Sequence, residues 1–532
     1  MKNQNNSEMY DAIIIGSGVG SLTTSAILAD NGMKVVVLEK HDQLGGYTQS
    51  FQRKSWYWDV AVHYLSSMEP GNLFFHGCRY LTGNQLRWKK MPEVFDHYCF
   101  PDFQVDVPSS PEEYRSHLKS LFPDEHREID RYFDDLLRFR KKMDLVWAPK
   151  LMPIPLAKFL RPFFRLLLRK APEQSIDYYF ERIGCSEKLK AAICAPWGTF
   201  GGLPSESSIY QHWITLGSYL YGAWYPAGGA TSISESLMDF IENRGGLLRT
   251  NSGVKEILLD ASNNKAIGVR LESGEVISGK TIVSGIGIRS TFTKLLPEQG
   301  IPHDMMDILR EYKNSVSYTQ LYAGLKDDPS TIPGIDGSNY WFSSDTKFPQ
   351  SIKELQSAGD DSLEVKSVML TFPSLKDRAA KSHTLTICAW LNYGFFKEWA
   401  ETKSQLRPDD YEAMKSKLKE ALLKPVLDKF PQLEDLIEYT TVGTPLTAEH
   451  YMGHAQGSAY GLTSPPGRYK DDRLRSKTAI DGLLLTGADI ATSGVPGAFG
   501  GGVFCASAIL KKNMTTALLK LDKKQYGDAV IL

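Results

Sequence analysis

Residues 11–39 constrain this chain more than any other stretch. The run DAIIIG at 11–16 is apolar and short, as suits a strand buried on both faces. The chain then turns through GSGVGS at 16–21, enters a helix-like stretch at 22–31, and returns as a second apolar run at 34–39 that ends in a carboxylate. Strand, glycine turn, helix, strand and acid make the βαβ unit that holds a dinucleotide. Gly16 makes the tight turn, Gly18 lets backbone approach a pyrophosphate, and the helix N-terminus faces its charge. Glu39, followed by Lys40, closes the unit about 20 residues after the turn, placed for the hydroxyls of a ribose. The third glycine of the fingerprint belongs at position 21, which is Ser21. Serine is small enough for the helix to approach the sheet, and Gly20 is not expected to take over that position.

The rest of the composition narrows the class. A chain of 532 residues has room for two or three domains. A net charge of −1 gives it no electrostatic footprint for nucleic acid. Six cysteines without a CxxC pair read as reduced thiols, most of them buried, in a reducing compartment. The start MKNQNNS has no apolar core of a signal peptide, and no long uncharged run suggests a membrane span. A cytoplasmic protein is expected. The histidines are not grouped with carboxylates at ligand spacing, so no metal site is expected. The serine within GSGVG sits in a phosphate-binding turn rather than a nucleophile elbow.

Further along, the pair Gly45 and Gly46 follows the ribose acid, and a hairpin-like stretch covers 51–65. A second glycine pair and a hairpin suit FAD, which is longer than a nicotinamide dinucleotide and lies extended. Residues 85–108 read as strands and 111–143 as helices. Residues 150–170 are unusual: no acid occurs from 145 to 172, and Lys158, Arg161, Arg165 and Arg169 share one helical face beside Phe159, Phe163, Phe164 and several leucines. That pattern suits the plane of an anionic membrane, with Pro162 opening the strongest part of the helix. Residues 205–221 read as helix and 247–284 as strands and turns. Strands at 316–325, 366–372, 385–391 and 437–441, with a charged helix at 408–430, suggest a second sheet over a pocket. LLLTGAD at 483–489 and GVPGAFGGG at 494–502 repeat the strand–glycine–helix theme. The cofactor domain is therefore expected to be discontinuous (1–90, 226–300 and 466–532), enclosing a helical membrane-contact region at 91–225 and a substrate domain at 301–465.

These motifs, with WDVAVHY at 58–64, WYPAGG at 224–229 and HAQGSAY at 454–460, resemble the FAD-containing amine-oxidase and phytoene-desaturase superfamily. Within it they are similar to the retinol saturase (all-trans-retinol 13,14-reductase) and carotenoid isomerase branch. The resemblance implies an α/β fold: a Rossmann-like FAD-binding domain of the glutathione-reductase type, and a mixed-sheet plus helical substrate domain. It places Glu39 on adenosine ribose with Lys40 beside it, and Gly16, Gly18, Gly20 and Ser21 around the pyrophosphate. It places Gly45 and Gly46 near the ribityl chain and Val254 at adenine. Gly487 and Asp489 fall near pyrophosphate and ribityl hydroxyls, and Gly497, Gly500 and Gly501 pass the isoalloxazine. The chain departs from the pattern at Ser21, at Tyr47 where many relatives carry arginine, and at Ala61 where relatives often carry glycine.

The implied chemistry is reduction of a carbon–carbon double bond in an apolar polyene lipid, by hydride transfer from flavin N5 with separate proton delivery. The same geometry serves desaturation or cis–trans isomerisation. Amine oxidation and non-enzymatic prenyl-lipid binding are the alternatives. NADPH or NADH is the expected transient electron donor, or a redox partner takes its place. His63 and Tyr64 follow the hairpin and are candidates for catalysis, His63 also for tuning the flavin; a buried hydrogen-bonded histidine is the structural alternative. Glu206 and His212 loosely share a helical face as proton source or pocket residues, against a helix cap or a structural pair. Tyr225 and His454 are weaker candidates.

Overall fold

A computed structural model describes residues 9–168, 173–349, 351–358, 363–377, 379–403 and 406–527. The apolar runs of the nucleotide unit form a five-stranded sheet in the order Leu483–Leu485, Ile282–Ser284, Ala12–Ile15, Val35–Leu38 and Leu247–Arg249. Every pair is parallel, with Ile14 beside Val283 on one side and Val37 on the other. Parallel strands need both faces covered. Ala12, Ile14, Val35 and Val37 pack on the helices Val19–Asp30, Thr231–Glu242 and Val495–Leu510. Ile13, Ile15, Val36 and Leu38 pack on an antiparallel layer of Val254–Leu259, Ala266–Leu271 and Val276–Ser278. The sheet thus draws its strands from widely separated parts of the chain.

A second sheet has seven strands in the order Ile437–Gly443, Ser317–Leu325, His383–Leu391, Ser367–Thr371, Asn339–Ser343, Val94–Cys99 and Gln104–Pro108. It is mixed, because Asn339–Ser343 runs parallel to Val94–Cys99 while its other neighbours are antiparallel. Its outer face packs Leu321, Leu370, Leu385 and Ile387 on Leu418, Leu422 and Val426 of the long helix Asp409–Lys429. Its other face carries Gln320 and Cys388, which meet His63. The hairpin Ser50–Arg53 with Trp56–Asp59 joins the two sheets: Trp56 and Trp58 donate their indole N–H groups to the carbonyls of Leu325 and Ala323.

Between residues 111 and 219 the chain forms a helical layer with an aromatic core. The two ends of this region meet, since Trp88–Lys90 pairs antiparallel with Trp224–Pro226. Ile154–Leu167 is one continuous helix that runs through Pro162 instead of starting there. It leaves Phe159 80 % and Phe163 56 % exposed, with Ile154, Leu156 and Leu166 also exposed. Arg161 is paired with Asp472, so one cation of the expected stripe is tied to the protein. The Arg165 side chain and residues 169–170 of that stripe lie outside the described residues. No helix among the described residues is long and apolar enough to cross a membrane.

Candidate functional site

The dinucleotide end is organised by a residue the fingerprint does not mark. Ser17 donates its N–H (3.0 Å) and its hydroxyl (2.5 Å) to Glu39 Oε2, and its Oγ accepts from Gly45 N–H at 3.0 Å. His41 N–H holds Glu39 Oε1 at 3.0 Å. One serine therefore ties the first glycine turn, the ribose acid and the second glycine pair together. Ser252 N–H donates to the Glu39 carbonyl at 2.7 Å, which brings the strand that starts at Val254 beside the acid. Lys40 is exposed.

The glycines divide into two kinds. A Cβ placed on Gly18, Gly487 or Gly500 would meet nothing within 4 Å, so these positions border open space, Gly18 as the N-cap of the helix Val19–Asp30. Gly16 (φ +83°) and Gly45 (φ +113°) hold left-handed turns, and a Cβ on Gly46 would come within 3.2 Å of Gly18 Cα. Gly20, Gly497 and Gly501 instead face neighbouring backbone. A Cβ on Gly20 would lie 2.6 Å from Gly487 Cα. Gly20 thus makes the close approach that the sequence reading denied it. Ser21 is accommodated from across the interface: a Cβ on Gly285 would collide with Ser21 Oγ. The open, backbone-lined cradle, the helix terminus and the ribose acid fit a flavin dinucleotide. Asp489, expected near pyrophosphate and ribityl, has both carboxylate oxygens engaged by the protein. Its oxygens accept from Ile288 N–H at 2.8 Å and Leu462 N–H at 2.9 Å, so the carboxylate clamps two chain segments together.

The second end centres on His63. Gln320 Nε2 lies 3.2 Å and Cys388 Sγ 3.2 Å from His63 Nε2. An amide nitrogen only donates, so Nε2 accepts there and the ring proton sits on Nδ1. Burial, reinforced by the nearby Lys376 cation, lowers the His63 pKa to about 3, and burial raises the Cys388 thiol to about 12. Both are neutral at physiological pH. Tyr64 donates to Asp96 at 3.1 Å and packs on Tyr219 at 4.8 Å between ring centroids. Burial pushes its phenol well above the ordinary tyrosine range. Tyr64, Phe95, Tyr98, Tyr114, Tyr132 and Tyr219 line a narrow aromatic cleft. Tyr47 reaches Ser458 O at 3.1 Å and meets His454 edge-on at 5.3 Å.

Glu206 and His212 are not brought together. Glu206 lies in the turn before the helix Ile209–Tyr219, exposed and ion-paired with Lys313 at 2.9 Å. His212 is fully buried, 2.9 Å from the Tyr132 hydroxyl, with its pKa lowered to about 3 by burial. Glu206 is thus a surface ion-pair partner and His212 a core histidine, neither the helix cap nor the structural pair expected as their alternatives. Tyr225 donates to buried Asp59, which also accepts from Ser50 and Ala230, so it fastens the Gly228–Gly229 turn. Ser17, Asp96, Gln320, Asn339, Lys376 and Cys388 carry no sequence signal, because their partners lie far away along the chain. No group of three or more metal-ligating side chains occurs among the described residues.

Comparison with known proteins agrees with this geometry. Residues 22–510 match the family described as flavin containing amine oxidoreductase. The chain is 31 % identical to all-trans-retinol 13,14-reductase of Rattus norvegicus, covering 97 % of this chain and 88 % of the relative. It is 27 % identical to a chloroplastic prolycopene isomerase of Daucus carota, covering 94 % and 80 %. Among solved structures, putrescine oxidase bound to putrescine superposes with a TM-score of 0.63 at 14 % identity, over 95 % of this chain and 99 % of that one, a likeness of fold. The cradle, the ribose acid and the match over nearly the whole chain lead to one conclusion: this protein belongs to the flavin-containing amine oxidoreductase family, and is an FAD-dependent oxidoreductase.

Proposed function

We propose that the protein reduces a carbon–carbon double bond of an apolar polyene of the retinol or carotenoid kind. The aromatic cleft walled by Tyr64, the chain neighbour of His63, carries this reading. Its single carboxylate among the described lining residues, Asp96, is raised to about 7 by burial and already accepts from Asn339 and Tyr64. An ammonium substrate would need a free counter-charge there; a hydrocarbon chain needs aromatic walls. The names of the relatives, a retinol reductase and a carotenoid isomerase, point the same way.

Ser17 and Glu39 would hold the adenosine end of FAD, Gly45 and Gly46 would pass its ribityl chain, and Gly18, Gly487 and Gly500 leave room for its pyrophosphate and ring. When bound, FAD supplies hydride chemistry. His63 presents a neutral ring to the reacting region and is a poor standing acid. The Tyr64 phenol, raised by burial and already donating to Asp96, is a weak acid as well, so the second carbon takes its proton from water. NADPH, NADH or a redox protein delivers the electrons. The exposed apolar face of Ile154–Leu167, with Lys158 on the same helix, supports docking on an anionic bilayer from which such a substrate is drawn.

The test is product mass. The anaerobically reduced protein, given all-trans-retinol or a carotene, yields a product two mass units heavier. A product of unchanged mass assigns isomerisation instead, and oxidation of an amine with no reaction on polyenes overturns the reading.

A further inference from the structure

His63 and Tyr64 are neighbours in sequence, and one buried polar unit grips both. Lys376 Nζ donates to the His63 carbonyl at 2.9 Å, to Thr371 Oγ1 at 2.5 Å and to Asn339 Oδ1 at 2.5 Å. Asn339 Nδ2 donates to Asp96 Oδ1 at 2.9 Å, and the Tyr64 hydroxyl donates to Asp96 Oδ2 at 3.1 Å. The unit runs without a break from the backbone of one residue to the side chain of the next. Each ammonium proton has an acceptor, and each Asp96 oxygen has a donor.

The unit is deep. Asp96 and Lys376 are each 2 % exposed and Asn339 is fully buried. Asp96 and Asn339 are register partners on the parallel pair that forms the fifth and sixth strands of the second sheet. Lys376 ends the short helix Pro373–Lys376 after the strand Ser367–Thr371. Burial pushes Asp96 up and Lys376 down, each to about 7, while their mutual attraction favours the charged forms. Removing two charges from water costs several kcal/mol per ion, and well-packed apolar residues would serve stability as well or better. Stability alone does not account for such a unit. What it contacts does: it fixes the backbone of His63, whose ring reaches Gln320 and Cys388, and the phenol of Tyr64, which walls the aromatic cleft.

We infer that Asp96, Asn339 and Lys376 form a positioning unit that fixes the His63–Tyr64 dipeptide against the reacting face of the bound flavin and its substrate. The inference rests on the proposed reading in one respect, that His63 and Tyr64 line that face. Asp96 also lines the aromatic cleft, whereas Asn339 and Lys376 act only through the dipeptide.

The test uses two variants. Asp96→Asn/Lys376→Met removes both charges together, so neither is left buried without its partner, and Asn339→Ser keeps both charges but removes the bridge. The first readout is the imidazole ¹⁵N–¹H resonances of His63 in the flavin-free protein, identified by their loss in His63→Gln. The second is the rate at which saturating polyene reoxidises the reduced, flavin-loaded protein. The inference predicts shifted or multiple His63 resonances in both variants. It also predicts a reoxidation rate lower by about 10- to 100-fold, the cost of misplacing a reacting neighbour by about 1 Å. Wild-type His63 resonances in the two folded variants, or altered resonances with an unchanged rate, would overturn it. If no polyene reoxidises the parent protein, the proposed function fails, and the resonances still decide whether the unit positions His63.

Discussion

At the scale of single residues, the cofactor cradle depends on compensation across an interface. Ser21 stands where the fingerprint calls for glycine, and the room for its hydroxyl is supplied by Gly285 on the adjoining strand segment. Ser21 Oγ has no hydrogen-bond partner, so the side chain contributes bulk without a bond. Gly285→Ala is expected to destabilise the protein by about 1–3 kcal/mol through overpacking, and Ser21→Gly in the same chain to recover most of that loss. Urea titrations of the two single variants and the double measure the coupling. His212 gives a second residue-scale expectation. Its pKa falls from 6.5 when unfolded to about 3 in the core. Its contribution is fully present above 6.5 and is lost as pH falls toward 3, because the unfolded chain takes up the proton first. The stability of wild type relative to His212→Gln should therefore drop by about 1.4 kcal/mol per pH unit below 6.5. Denaturation at a series of pH values checks the slope.

At the scale of elements, the C-terminal helix Met514–Tyr526 is fastened to Leu73–Leu81 by a fully buried carboxylate. Asp522 Oδ1 accepts from Arg79 Nε at 2.8 Å, and its Oδ2 meets Arg79 Nη2 at 2.5 Å and His76 Nδ1 at 2.6 Å. Asp522→Asn removes the counter-charge from a buried guanidinium and should cost about 3–5 kcal/mol, read as a lower urea midpoint. The elements legible in the sequence were those whose signal is local. The nucleotide unit at 11–39 announces its strands, turn and acid within one window, and four strands of the second sheet show as short apolar runs. The strand Asn339–Ser343 does not: it is an aromatic run between loops, and its parallel partner Val94–Cys99 lies far upstream. Asn339 and Asp96 were therefore invisible as a pair. Glu206 and His212 misled for the converse reason. Helical spacing suggested a shared face, but the helix starts only at Ile209, leaving Glu206 in a surface turn.

At the scale of the whole molecule, the hairpin at 50–59 packs on the second sheet, with His63 just beyond it, and an exposed aromatic helix stands apart. If that helix seats the protein on lipid, Phe159→Glu/Phe163→Glu should weaken co-sedimentation with anionic vesicles at least about 100-fold, since burying each ring is worth about 1.5–3 kcal/mol. Thermal stability should hardly change, because both rings are exposed in the folded protein. The central claim is that electrons pass through FAD to a polyene double bond. Anaerobic stopped-flow absorbance tests it most directly, with protein reduced to completion and then mixed with all-trans-retinol or a carotene. The oxidised flavin band should return at a rate set by polyene concentration, with one reduced product formed per flavin. A flavin that stays reduced in the presence of every polyene, yet reoxidises with an imine or another acceptor, would contradict that claim.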